Sequence, residues 1–559
     1  MEREGSDNLD NLVGHDRKAA IKKKIILILI PLIIISIIVI IIVLVVSRKN
    51  DDKSDSSEKY KFSINSVNLP EGIIYEGHAI YSKKGHIIFL YKKEDDSNTY
   101  IGVMNEDGSK LKVLWSGVWK NFYQSNGIRL MPFDDNKKIL TGDYILECFP
   151  DIDNCQNSSL LPVIYPPEVV NIEGLNYVWS EIIVSPDEHI GWTTLSSVYD
   201  AVNFLGKLEK NENNYTISNI QIISSLGFIE YENQQEGIFK HRTIRGGEIK
   251  QFTNGGEALT LAGAGGESAL AKSVFQNLVG EENYPLTQFP GYEETTIISP
   301  DGKLGLTMTT RFSLKTSSYI LGYMPRPLSI YTISKMNRYA YFYGVQEVRK
   351  KRKGNIGPAL IDIEESKKNN SYMGYDLHEE GWAFSSPLSW HPNSKKGMFS
   401  EIKQNSEKVI KRIRIVNLEN YKPGKILENK KTPDNISYAK TLQDLNDTAL
   451  NEAHGYFKGK GGIMIFNKTE TWSKSGYFNY TEDNKTFYNG YEKFEFVGSP
   501  YVGKLTSNIT MSGEKDGIMD LTLTMTYAGN ILFDQSYGYV EYNGKKLTIE
   551  DSFLKNNII

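Results

Sequence analysis

Five short turn-forming strings recur at nearly even intervals along this chain, each followed by an apolar run. They are Ser82-Lys83-Lys84-Gly85, Phe133-Asp134-Asp135-Asn136, Ser185-Pro186-Asp187-Glu188, Ser299-Pro300-Asp301-Gly302 and His391-Pro392-Asn393-Ser394. The runs that follow are HIIFLY at 86–91, KKILTG at 137–142, IGWTTL at 190–195, KLGLTM at 303–308 and KGMFSE at 396–401. Proline presets the first turn angle, Asp or Asn caps the backbone and Gly tolerates positive φ, so each string ends one strand and starts the next. The turns start at 82, 133, 185, 299 and 391, giving gaps of 51, 52, 114 and 92. The gap of 114 is about twice 57, which places a degenerate unit near 240. A recurring unit of about fifty residues has the period of propeller blades. A four-stranded blade cannot bury both faces alone, and packing blades in a ring covers them. Five visible units and one inferred unit predict six blades; a seventh fits if the gap of 92 conceals one.

The string SPDGKLGLTM at 299–308 resembles the TolB-like (WD40-like) β-propeller repeat. So does Ile101-Gly102-Val103-Met104-Asn105-Glu106-Asp107-Gly108-Ser109 in the first unit, with Leu111 to Leu114 leading out. Tyr284-Pro285-Leu286-Thr287 and Gly291-Tyr292-Glu293-Glu294 precede the SPDG turn as they do in that repeat. The resemblance covers roughly residues 75–430. Phe133 and Asp134 replace Ser-Pro in the second unit, and Glu188 replaces Gly in the third. It implies a fold and no particular activity.

The expected architecture is therefore all-β: a propeller over 61–430 and a C-terminal antiparallel β-sandwich or barrel over 446–559, preceded by one transmembrane helix. Residues 429–444 read as a linker. Beyond it lie GGIMIF, SGYFNYT, KFEFVGS, KLTSNITMS, MDLTLTMTY, NILFDQS and GYVEYNG, and period-2 alternation is clean from Leu521 to Tyr527, as half-buried strands require. Aromatic residues make up 11% of the chain, and such side chains pack well on pleated surfaces.

Residues 25–46 form an apolar run of 22, broken only by Pro31 and Ser36. About 20 residues span a bilayer core, and a helix satisfies its own backbone groups there. The run exceeds the core of a cleaved signal, so a retained helix over 25–47 is expected. Residues 1–24 then form a cytoplasmic tail without a core-forming pattern, and 48–60 a charged, Ser-rich stalk. Arg17, Lys18 and Lys22 to Lys24 precede the run, while Arg48, Lys49 and Lys53 follow it. The lean is towards a cytoplasmic N-terminus and a body that is extracellular or luminal. Asn-x-Ser/Thr glycosylation candidates occur at Asn157, Asn214, Asn369, Asn435, Asn446, Asn467, Asn479, Asn484 and Asn508, all in the body. The only two cysteines, Cys148 and Cys155, flank a short turn and are expected to pair as a disulfide in an oxidising compartment.

No assembled catalytic motif appears. A Gly-x-Ser-x-Gly elbow is lacking, since Gly266-Glu267-Ser268-Ala269-Leu270 has no second Gly, and the β-rich C-terminal stretch is too short for an α/β-hydrolase domain. His378-Glu379-Glu380 has no second His one helical turn on, so no metal site is expected there. Asp151-Ile152-Asp153-Asn154 and Asp134-Asp135-Asn136 carry oxygen donors of the kind Ca²⁺ takes, but solvated turns are the favoured reading, and no cofactor is expected. GGEALTLAGAGG at 255–266 and the basic run Arg349 to Lys353 read as connections between blades. The net charge of −4 shows no domain-wide basic excess of the nucleic-acid-binding kind. Glu293, Glu294, Asp301 and Arg311 flank the best repeat, and Arg242 and Arg245 fall in the degenerate unit; a polar ligand site at the propeller's mouth would draw on these six. The functional expectation is a membrane-anchored binding or scaffold protein, meeting a protein or glycan ligand. The alternatives are a hydrolase or lyase acting on a glycan or peptide in the funnel, and a cell-surface structural or adhesion protein.

Overall fold

The computed structural model describes residues 59–118, 129–171, 175–196, 200–227, 229–263, 270–313, 315, 319–327, 343, 356–444, 452–499, 501–526 and 529–553. The expected tail, membrane helix and most of the stalk (1–58), the sequon Asn446, Ser268 with its neighbours and the run Arg349 to Lys353 lie outside the described residues. Among the described residues no helix is long and apolar enough to cross a membrane. Lys61–Ile559 is one compact unit.

Between Phe62 and Leu418 the chain forms six four-stranded antiparallel units. Their inner strands are Ile73–Tyr81, Leu130–Pro132, Leu175–Val184, Gly247–Thr253, Glu293–Ile298 and Trp382–Trp390, and all six line one central cavity. The first strand of the body, Phe62–Ser66, returns to the last unit. It pairs antiparallel with Lys411–Leu418, from Phe62 opposite Leu418 to Ser66 opposite Arg414, and so closes the ring with the chain's own beginning. Blades two and three are joined at their outer edges by a parallel pairing of Tyr215 with Val163 and Thr216 with Ile164.

The apolar runs are continuous because blade strands are covered on both faces. In Ile87–Lys93, Ile87, Phe89 and Tyr91 pack with Met398 and Ile415 of blade six. The alternating Ile88 and Leu90 pack with Ile139 and Leu146 of blade two. Two blades therefore share every interface.

The turn repeat has a common geometric cause. Its fourth residue is left-handed in all five strings: Gly85 at φ 88, Asn136 at 55, Glu188 at 70, Gly302 at 77 and Ser394 at 59. The sixth turn is Thr253-Asn254-Gly255-Gly256, with Gly256 at φ 112. The degenerate unit thus lies at Gly247–Pro285, slightly after the position expected from spacing. Among the described residues the gap of 92 holds no seventh blade: Leu304–Thr309 pairs directly with Gly357–Asp362 as neighbouring strands of blade five, with 310–356 between them in sequence.

In three blades the first Ser is clamped by an aspartate. Ser185 Oγ donates to Asp187 at 2.6 Å and Ser299 Oγ to Asp301 at 2.6 Å, while each hydroxyl accepts a backbone N–H from the next strand. In blade one Lys84 stands where that Asp would be. Asp153 from blade two supplies the carboxylate instead, accepting from Ser82 at 2.7 Å, with His86 at 2.7 Å and Asn136 at 2.6 Å on the same group. This is the use made of the Asp151 to Asn154 loop: Asp151 pairs with Lys84 at 2.8 Å and Asp134 with Lys83 at 3.2 Å. These carboxylates face protein donors, and no metal-holding cluster occurs among the described residues. The expected disulfide is not formed. Cys148 and Cys155 stand as free thiols, with Cys148 buried and its thiol pushed up by burial and by a hydrogen bond with Cys155. The loop between them is held instead by the Asp151 carboxylate, which accepts from the Asp153 and Asn154 amides at 3.0 Å each.

Residues 419–444 are not a free linker. Leu427 donates to the Pro300 carbonyl at 2.9 Å, Lys430 to that of Gly255 at 2.8 Å and Thr432 to the Asp187 carboxylate at 2.9 Å, and Asn429 reaches Asp134. The segment straps across the turn face and touches four blades.

Beyond it, eight antiparallel strands from Ala453–Lys458 to Lys545–Thr548 run as a meander in one sheet, so a two-sheet sandwich does not form. The sheet is completed from the propeller. A hairpin, Tyr231–Asn233 and Ile238–Phe239, adds to its edge through Ile238 and Tyr456, with Phe239 stacked 4.7 Å from Tyr231 and 5.1 Å from Phe457. Arg326, from the blade-five insertion, is buried against Glu492 at 3.2 Å. The eight described sequons all have exposed or half-exposed Asn side chains.

Candidate functional site: a charged collar in the central channel

The strand order dictates what can meet in the middle. Each inner strand runs towards its turn, so residues four or five before a turn stand at the opposite end of the channel. His78, Arg129, Glu181 and Glu294 occupy those positions in blades one, two, three and five. In blade four, register shifts at Ile249 and Gln251 bring Glu248 and Lys250 to the same level.

The result is a collar of charge. Lys250 Nζ lies 2.9 Å from Glu181, 2.8 Å from Glu248 and 3.6 Å from Glu294. Arg129 Nη2 lies 2.8 Å from the same Glu181 oxygen that Lys250 contacts. The Lys250 and Glu181 side chains are only 2% and 3% exposed, which is unsustainable for an unpaired charge. Burial lowers the Lys250 pKa, but the Glu181, Glu248 and Glu294 carboxylates outweigh it and hold the amine well above the usual lysine range. Below the collar the channel is a cavity of about 260 Å³ with mostly apolar walls, including Ile80, Met131, Ile183, Phe252 and Phe384. A concave apolar space ending in a few convergent polar groups suits a small ligand with one polar end.

Of the six residues expected to form a polar site, only Glu294 belongs to this collar. Glu293 and Arg311 are both fully buried and paired at 2.7 Å. Arg311 also donates to the Tyr372 carbonyl at 2.7 Å and to Ser366 at 3.0 Å. Successive residues on a strand point to opposite faces: Glu294 faces the channel and Glu293 the blade interior. Asp301 serves its turn and the strap, accepting from Ser299, Tyr421 and the Gly424 amide. Arg242 donates to the Ser225 carbonyl at 2.9 Å. With Arg245 it adjoins Phe457 and Tyr480 of the C-terminal sheet, away from the channel.

Arg129, Glu181, Glu248 and Lys250 were missed in the sequence. Counting back four residues from each turn finds the first two. Lys250 needed the blade-four turn, whose Thr-Asn-Gly-Gly string lacks the repeat's features.

No family model matches the sequence, and no curated protein matches it. Solved structures to which the chain is similar include TolB from Acinetobacter baumannii, at 13% identity over 64% of this chain and 66% of that one, with a TM-score of 0.29. An oligogalacturonate lyase from Vibrio parahaemolyticus is similar at 10% identity over 66% and 96%, with a TM-score of 0.35. An α-L-arabinofuranosidase from Podospora anserina is similar at 9% identity over 65% and 97%, with a TM-score of 0.27.

Proposed function

We propose that this chain is a membrane-anchored binding protein whose propeller body lies outside the cytoplasm and takes a small ligand into its central channel. The observation that carries the binding half is the collar: two cations and three carboxylates, drawn from four blades, gathered at one end of an apolar cavity. A purely structural channel has no need of a buried Lys250–Glu181 pair ringed by three further partly buried charges, since apolar replacements of buried ion networks are often as stable. The anchor half rests on the apolar run at 25–46, long enough to span a bilayer, with basic residues concentrated before it. The C-terminal sheet, clamped by two propeller segments, serves as a scaffold beside the channel.

The test uses the full chain in detergent, screened by thermal shift against small polar metabolites and short glycans. A saturable rise in Tm is expected from at least one compound, as binding to the native state requires. Thr295→Trp, which places a large ring at the cavity wall, is expected to abolish the rise. A rise that survives this substitution places the ligand elsewhere and ends the channel reading. For the anchor, the chain is expected to stay with membranes through alkaline carbonate extraction, its body cleaved by protease added to the non-cytoplasmic side. Release into the supernatant ends that part.

A further inference from the structure

One side of the collar is less well compensated than the other. On blades three to five, Lys250 is surrounded by three carboxylates. On the side of blades six, one and two stand Lys411, His78 and Arg129. Lys411 donates to the Glu76 carbonyl, and the Glu76 carboxylate that acts on it is itself paired with Lys92 at 3.3 Å. Arg129 spends Nη2 on Glu181, while its Nε is buried without a hydrogen-bond partner. His78 Nδ1 is likewise buried and unpartnered. Buried polar atoms in folded proteins are nearly always bonded, and leaving one unmade costs about 1–3 kcal/mol.

The backbone adds a second observation. His78 has φ 60, following Gly77 at φ 123, and the pairing register breaks between Gly77 and Ile80. A non-glycine residue held in the left-handed region costs roughly 1 kcal/mol or more, and such strain gathers at binding sites. The bulge re-aims one imidazole. That imidazole is partly buried, and its burial, together with the nearby Arg129 and Lys411 cations, pushes its pKa down to about 3. It is therefore a neutral hydrogen-bonding group beside two cations, an arrangement that repels a metal ion and suits an anion.

We infer that the channel mouth seats the anionic group of its ligand, a carboxylate or a phosphate, between His78, Arg129 and Lys411. The anion accepts from the Arg129 Nε–H and from the imidazole and gives Lys411 its counter-charge. The acidic side of the collar keeps the remainder of the ligand from reversing. This inference rests on the channel-binding reading and narrows it to one ligand class.

The test follows acylation of His78 by diethylpyrocarbonate in the full detergent-solubilised chain at pH 6.5, read by peptide mass spectrometry with the other histidines as internal references. Inorganic phosphate and succinate are the probes, and choline chloride at equal ionic strength controls for screening. The expected result is protection of His78 alone, about tenfold at saturation by simple mass action, by phosphate, succinate or both. Protection by one of them identifies that source of negative charge. Arg129→Gln and, independently, Lys411→Met are expected to abolish protection while the reference histidines react as before. Glu364→Gln, at an exposed ion pair with Lys367 outside the collar, is expected to retain it. Equal protection by choline chloride overturns the anion assignment while leaving a channel ligand possible. Absence of protection by either anion overturns the assignment outright, and the compound screen then judges channel binding by itself.

Discussion

The propeller and the C-terminal sheet are both antiparallel β-structure, yet they solve the problem of an exposed sheet in opposite ways. A blade hides both faces against two copies of its own pattern, and the ring is closed by Phe62–Ser66 lying on Lys411–Leu418. The C-terminal meander has no copy of itself to pack on. It borrows a hairpin for its edge and an arginine for its buried face, both from the propeller. A repeat architecture is thus self-sufficient, whereas a single sheet this long depends on partners supplied from far away in sequence.

The sharpest way to break this comparison is to remove the borrowed charge. Arg326→Met leaves Glu492, 3% exposed, as a buried carboxylate without its cation, an effect of about 3–5 kcal/mol. Amide exchange is expected to rise across Val502–Gly513 and Gly517–Thr526 while the strands of blades one to three keep their protection. The companion Arg311→Met orphans Glu293 inside blade five at a similar cost, but its loosening is expected in the ring. If both substitutions loosen the whole chain alike, the two regions are one cooperative unit and the contrast fails. Phe239→Ala tests the borrowed edge. Its ring meets Tyr231, Phe457 and Phe466, and about 3 kcal/mol is expected to be lost from the C-terminal sheet, measured by urea unfolding.

The same contrast explains what was legible in the sequence. The blades announced themselves because one backbone requirement, a left-handed fourth residue, recurs at Gly85, Asn136, Glu188, Gly302 and Ser394. Repetition converts a weak local signal into a period. Where the requirement is met by other residues, as at Gly256, the unit was inferred only from the gap it left. The collar was less legible because a one-residue phase error on a strand exchanges Glu294 for Glu293, a channel group for an interior one. The bulges near Gly77, Ile249 and Glu293 shift that phase without a sequence mark. Neither clamp on the C-terminal sheet could be read, since Ile238 with Tyr456 and Arg326 with Glu492 are pairings across very long stretches of chain.

Smaller effects separate repeat-encoded contacts from improvised ones. Asp153→Asn weakens the serine clamp that blade one takes from its neighbour, with donors from Ser82, His86 and Asn136. A loss of about 1–3 kcal/mol is expected, seen as faster exchange in Ile87–Lys93. The strap carries a pH dependence of definite sign. Burial opposes ionisation of Asp301, but hydrogen bonds from Ser299, Tyr421 and the Gly424 amide outweigh it and hold the carboxyl below the usual range. For Asp187 burial is likewise outweighed, by Ser185 and Thr432. A carboxyl depressed in the folded state stabilises it above the unfolded value near 3.9, and that contribution disappears as pH falls through the folded value. Protease cleavage within 419–435 is therefore expected to accelerate below about pH 4, before the blades themselves are cut. Simultaneous onset in both regions breaks the claim that the strap hangs on those two carboxylates.

The smallest effect is the most discriminating about the strap. Asn429 reaches Asp134 of blade two across the turn face. Asn429 is exposed and Asp134, half-exposed, keeps its pair with Lys83, so water replaces the lost hydrogen bond and Asn429→Ala is expected to cost no more than about 0.5 kcal/mol. Asp187, by contrast, accepts from the Thr432 amide within a turn that is built whether or not the strap is present. A larger loss from Asn429→Ala than from Thr432→Pro, which removes that amide donor, would mean that the strap is anchored by its reach across the channel rather than by the repeat's own aspartates. The turn motif would then be a device for shaping blades alone. The expected order, Thr432→Pro well above Asn429→Ala in urea unfolding, makes the same aspartate serve two purposes: it fixes the serine of its own turn with one oxygen and docks a distant segment with the other.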